Sequence, residues 1–188
     1  MSLRRLLVVL LLTELGACAG TDGHDPSVRA PGDPEPAAAR LERQRGEVRA
    51  AARTMLRQAE RRLSGRTTLS TGAWRGCESA GIEEYKNFRY LGQARVDVAA
   101  GAVDPALTSL RAVLESAGFT VGEVSPGPGG GSSSRRLAGT RRDLTAVFSH
   151  PSGTTIGLEV YGPCLDVPAQ DRGAWLRRDE PTPDLLRR

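Results

Sequence analysis

The stretch "KNFRYLGQARVDVAAGAVDPALTSLRAVLESAGFTVGEV", Lys86 to Val124, decides the fold. Its opening alternates. Phe88, Tyr90, Ala94, Val96 and Val98 fall on one face of a strand, with Gly92 expected as a bulge or bend. The period then changes. Asp104 reads as a helix N-cap, Pro105 as the first helical residue and Gly118 as the stop. Between them Leu107, Leu110, Val113, Leu114 and Ala117 make one apolar stripe. "FTVGEV", Phe119 to Val124, returns to a short strand.

Downstream, "RDLTAVFS" puts Leu144, Ala146 and Phe148 on one face, and "TTIGLEVYG" does the same with Ile156, Leu158 and Val160. "HPSG", His150 to Gly153, reads as the hairpin turn between them. "SPGPGGGSSS", Ser125 to Ser134, reads as a flexible loop. These elements predict an α+β two-layer sandwich over residues 66–168. It has a mostly antiparallel four-strand sheet with a helix between strands 1 and 2.

A long N-terminal helix is expected before it, over residues 38–64, bounded by Pro36 and Gly65. Leu41, Val48, Ala52, Met55, Ala59 and Leu63 form a thin stripe among arginines. Such a helix either packs lightly on the domain or lies on anionic lipid. The tail 169–188 is polar and reads as flexible, with Trp175 as a residue that docks back.

The N-terminus carries targeting information. Arg4 and Arg5 precede the apolar run Leu6 to Leu12, the order of an export signal. That run is far shorter than the roughly 20 apolar residues of a spanning helix. Two cleavage readings follow. "LGAC", Leu15 to Cys18, resembles the lipobox of bacterial lipoproteins, in which the chain is cut before a lipid-bearing cysteine. "ACA", Ala17 to Ala19, is a small-residue site for ordinary cleavage before Gly20, which would release a secreted soluble protein. The first makes 1–17 a lipoprotein signal and 18–37 a disordered tether, with Cys18 as the lipid-attachment residue. The chain has 3 cysteines. With Cys18 lipidated, Cys77 and Cys164 remain, an even pair that in an oxidising compartment reads as one buried disulfide.

Charge narrows the partners. The net charge is +4, and Lys86 is the one lysine among 26 basic residues. This looks like the codon bias of a GC-rich genome and weakens any arginine cluster as a sign of anion recognition. Export argues against nucleic acid. Anionic lipid or wall polymer, met by Arg-rich segments, and an envelope protein are the partners left.

No catalytic pattern stands out. His24 lies in the tether and His150 in a turn, and neither a G-x-S-x-G elbow nor an S-x-x-K is present. Metal signatures are missing, and the adjacent Glu83 and Glu84 diverge. "GPGGGS", Gly127 to Ser132, lacks the Lys-Ser/Thr and the helix of a phosphate loop. "RRLAGTRR", Arg135 to Arg142, reads as a solvated edge strand. Trp74, Tyr85, Tyr90 and Tyr161 read as core or hairpin aromatics. No cofactor is expected. The sequence reading is a non-catalytic binding module, lipid-anchored at the outer face of the cell membrane. The alternative is an extracytoplasmic enzyme whose carboxylates meet only on folding.

"GAWRGCESAG" from Gly72 with Tyr85, "GFTV" at Gly118 to Val121 and "YGPCLDVP" at Tyr161 to Pro168 resemble small actinobacterial lipoproteins of the LppA-like kind. Those carry a lipobox, a W-x-x-C early in the domain and a late cysteine. The resemblance implies lipid on Cys18 and a Cys77–Cys164 pair, and it brings no activity with it.

Overall fold

The structure is a computed structural model that describes residues 35–77, 85–99, 103–127, 134–152 and 154–187. Helix α1 (Ala37–Leu63) starts behind Pro36 and ends at Ser64, which takes a left-handed conformation at φ 49°. Strands β1 (Arg66–Gly76) and β2 (Asn87–Asp97) follow, then α2 (Val103–Ser116). Next come β3 (Thr120–Pro126), β4 (Arg135–Arg141), β5 (Leu144–Ser152) and β6 (Thr155–Tyr161). The two-residue β7 (Leu165–Asp166) and α3 (Ala169–Leu176) complete the order.

The strands form one antiparallel sheet in the order β1-β2-β6-β5-β4-β3, with β7 pairing β2 beyond the end of β6. The architecture is therefore α+β, with a sheet of six to seven strands rather than four. The α2 crossover carries the chain from β2 to the far edge at β3. It follows the second strand, not the first.

Three strands escaped the sequence reading. On the core face β1 carries Ser70, Gly72 and Trp74 instead of an apolar alternation. A Cβ at Gly72 would lie 2.0 Å from the Tyr90 hydroxyl, so the Tyr90 ring occupies the room a side chain there would need. β4 has Leu137 and Gly139 facing the core, with Phe119 and Leu114 over the glycine. It lies inside the sheet between β3 and β5, so "RRLAGTRR" is not an edge strand. β7 is too short to show a period. His150 and Ser152 belong to β5, which carries pairing past the expected turn at 150–153.

The core face is built in cross-strand rows. Leu137, Phe148, Leu158, Ala94 and Ser70 form one. Val121, Gly139, Ala146, Val160, Gly92 and Gly72 form the next, a row of mostly small residues. Small residues leave room above the sheet. Leu114 of α2 fills it over Gly139, and Val48 of α1 with Leu185 fills it over Gly92. Gly92 therefore keeps regular pairing and serves a close approach, not a bulge. The bulge of this pair is in β1, between Thr67 and Leu69.

α2 buries the stripe expected of it, with Leu110, Val113 and Leu114 fully covered. Gly118 ends it at φ 81°. α1 buries more than a thin stripe. Leu41, Val48, Met55, Leu56 and Ala59 are each 0% exposed, and Gln44 and Arg49 are buried beside them. With that face on the sheet, a membrane contact through it would require undocking.

Candidate functional site

Three features beyond the apolar core bear on function: a strap on α1, a disulfide corner, and the uncovered face of the sheet. Residues 177–187 run back over α1 and β1. Arg45, Arg49 and Arg53 lie at i, i+4 and i+8, one stripe of the helix. Arg49 donates to the carbonyls of Thr182 at 2.6 Å and Asp184 at 2.8 Å, and to the Tyr90 hydroxyl at 3.2 Å. Arg53 donates to the carbonyls of Leu185 and Arg187, at 3.2 Å and 2.8 Å. Arg45 holds Glu180 in a two-pronged pair, one prong at 2.7 Å. Such charge-assisted bonds contribute about 1.5–3 kcal/mol each.

Three further contacts fix the strap. Leu185 is 0% exposed under it. The Gly72 amide donates to the Pro183 carbonyl at 2.7 Å, and Ser70 donates to the Asp184 carboxylate. The segment expected to be a flexible tail is thus packed. Trp175 does dock back, edge-on to Trp74 at 4.8 Å, with Arg178 4.3 Å above its ring.

Burial works against the Glu180 carboxylate. Arg45, the Thr182 amide and the Tyr90 hydroxyl outweigh it and hold its pKa at about 2. Burial raises the Tyr90 pKa, and there the Arg49 hydrogen bond does not outweigh it. Asp184 is lowered, first by Ser70 and then by the Leu186 amide. These shifts have structural partners that explain them. Gln44 plays a similar structural part. Its Oε1 accepts from the Tyr90 amide at 2.6 Å, where the sheet passes from β6 to β7, and its Nε2 donates to the Pro163 carbonyl at 2.7 Å.

Cys77 and Cys164 form a disulfide with Cα atoms 6.1 Å apart. The bond joins the end of β1 to the β6–β7 corner and so spans β2, which lies between them. Both ends lie inside the domain, since β1 precedes Cys77 and β7 and α3 follow Cys164. The bridge is also less covered than expected, since Cys164 is exposed and Cys77 half-buried. Trp74 packs edge-on against Tyr90 at a ring distance of 5.0 Å.

The second face of the sheet has no helix on it among the described residues. Its rows are low. Ala73, Leu91, Tyr161, Thr145, Thr140 and Thr120 form one. Leu69, Arg95, Gly157, Ser149, Arg136 and Ser125 form another. A shallow depression of about 260 Å³ lies over Gly157, bounded by Leu69, Arg95 and Glu159. Leu69 is 50% exposed there. Gln93 donates to Glu159 at 3.0 Å. At the disulfide end Arg75 stands directly opposite Arg89, whose guanidinium lies 4.4 Å from the centre of the Tyr161 ring.

Two shallow clefts adjoin the β4–β5 turn. One, of about 270 Å³, is lined by Arg40, Arg43, Gln44, Glu47 and Asp143, and its neighbour shares Glu47 and adds Arg142. Glu47 and Asp143 are the one pair of carboxylates that lines a single described cleft. Among the described residues no three His, Cys, Asp or Glu side chains gather as a metal site requires. No described helix is long and apolar enough to cross a membrane.

Of the residues singled out from sequence, Cys77 and Cys164 are brought together. Cys18, the whole of 1–34, Glu83, Glu84 and positions 128–132 lie outside the described residues, as do the side chains of Asp104 and His150. The arginine ladder of α1 and the Arg75–Arg89 pair were not foreseen. A signal for the ladder exists: Arg45, Arg49 and Arg53 flank the apolar stripe, and Leu185 and Leu186 end an otherwise polar tail.

No protein-family model matches this chain, and no curated protein does. Among solved structures, LppA of Mycobacterium tuberculosis, a protein named as a lipoprotein, is similar over 77% of this chain and 83% of its own. The identity is 12% and the TM-score 0.38.

Proposed function

We propose that this chain is an exported lipoprotein, held at the outer face of the cell membrane by lipid on Cys18, and that its body is a non-catalytic binding module. The observation that carries this reading is the Cys77–Cys164 bond. A disulfide belongs to an oxidising compartment, and Cys18 is the remaining one of the 3 cysteines, inside "LGAC". The uncovered, low-relief sheet face with Leu69 at its rim supports the binding half of the proposal. For an enzyme with a carboxylate pair, the described residues offer Glu47 and Asp143. Among the described residues neither makes a hydrogen bond or ion pair that would hold it in a reactive geometry. Anionic lipid or wall polymer and a neighbouring envelope protein are the partners that fit a chain of net charge +4.

Mass spectrometry of the mature N-terminus tests the anchor. A diacylglyceryl group on Cys18, and release of the protein by Cys18→Ala, are expected. An unmodified N-terminus at Gly20 would make it a secreted soluble protein. Crosslinking in the intact envelope tests the binding half, and should give a discrete partner joined through the uncovered face.

A further inference from the structure

We propose that Arg75 and Arg89, with Tyr161, form a binding site for a phosphate-class anion at the disulfide end of the uncovered sheet face. Arg75 and Arg89 are a directly opposed cross-strand pair. Like charges in that position repel, whereas opposite charges or neutral residues would stabilise the sheet. Among the described residues no carboxylate forms an ion pair with either one. Asp166, one cross-strand pair further along this face, is engaged by Asn87 at 3.2 Å, and Glu159 by Gln93. A bound anion would cancel the repulsion.

Arg89 is held in place. Its guanidinium stacks on Tyr161 at 4.4 Å from the ring centre, a contact that orients the planar fork. Its Nε is buried with no hydrogen-bond partner, which is true of no other arginine among the described residues. The guanidinium therefore lacks the protein acceptor that Arg45, Arg49 and Arg53 each have. The register sets the two arginines opposite each other, and guanidinium forks offer the paired N–H donors that a tetrahedral oxyanion accepts. The nearby disulfide joins β1 to the corner after β6, the strands that carry Arg75 and Tyr161, and so limits how far the three groups can separate. Opposition and missing acceptors, not the abundance of arginine, set this pair apart. The site stands whether or not the chain is lipid-anchored.

The test uses the full chain with inorganic phosphate at constant ionic strength set by chloride, read from the Arg Nε–H signals by NMR. Saturable shifts at Arg89 and Arg75 are expected. Arg89→Gln and Arg75→Gln should each weaken binding at least tenfold, while Arg95→Gln leaves it unchanged. Arg75 is exposed, so Arg75→Gln keeps the test valid if the Arg89 variant unfolds. A parallel arm uses vesicles of phosphatidylglycerol and of phosphatidylcholine. Vesicle binding confined to phosphatidylglycerol and lost in the variants supports the site and assigns it to a lipid headgroup. Phosphate binding without vesicle binding supports it and assigns a soluble anion. No saturable response in either arm, or binding that persists in the double variant, overturns the proposal.

Discussion

α1 and α2 lie on the same face of one sheet and touch through Gln58 and Ser116, yet they are held by different means. α2 is a short amphipathic helix. Leu110, Val113 and Leu114 are fully buried and carry it, by apolar transfer and close packing. α1 has a weaker apolar stripe and adds a polar one. Gln44 closes the gap between β6 and β7, while Arg45, Arg49 and Arg53 bind the strap. The difference shows that an arginine-rich helix need not be a surface helix. An arginine can be buried at little cost when carbonyls and a carboxylate meet its donors.

The largest way to break the comparison is to open the disulfide, which lies in the half of the molecule that α1 covers. It closes a span of 87 residues. Chain entropy puts its contribution at about 4–5 kcal/mol before native strain is subtracted. Cys77→Ser should therefore lower Tm sharply, as thermal unfolding would show. It should act on the β6–β7 corner, where Gln44 docks, before it reaches α2.

Arg49→Ala and Leu110→Ala set the two helices against each other. Leu110→Ala leaves a cavity and should cost about 2–5 kcal/mol. Arg49→Ala removes a buried cation whose partners stay behind, and should cost about 3–5 kcal/mol. Denaturant unfolding measures both. If the Arg49 variant loses under about 1 kcal/mol, the range of an exposed ion pair, the strap does not hold α1.

Acid sharpens the contrast further. The Glu180 pKa is held at about 2 against an ordinary 4.5. A depressed carboxylate stabilises the fold fully above its unfolded pKa, and the effect is lost as pH falls through the folded value. The strap should thus weaken as pH falls from about 4.5 towards 2. Glu180→Gln should remove the Glu180 share of that pH dependence and leave the share of Asp184, whose pKa is also lowered. The smallest effect belongs to Gly92→Ala. Its new Cβ would lie 3.3 Å from Val48 and Leu185, a tight contact that should cost about 1 kcal/mol.

Sequence revealed what apolar period encodes. α2, the core face of β2, and the faces of β5 and β6 follow directly from alternation and helical spacing. The ends of α1 followed from Pro36 and Gly65, but its buried arginine did not, because its acceptors are backbone carbonyls more than a hundred residues away. β1 and β4 were hidden for a steric reason. Gly72 and Gly139 face the core under Tyr90 and Leu114, so the strands show no alternation. The disulfide pair was legible from counting cysteines, whereas its exposure was not. Arg75 and Arg89 became a candidate site only once register set them opposite each other.

Amide hydrogen exchange in Arg49→Ala reads whether the buried arginine on α1 holds the strap. The Gly72 amide, bonded to the Pro183 carbonyl, and the Leu186 amide, bonded to Asp184, are the reporters. The account predicts that both lose protection selectively, while the amides of Leu110, Val113 and Leu114 in α2 keep theirs. Unchanged protection at Gly72 and Leu186 would contradict it.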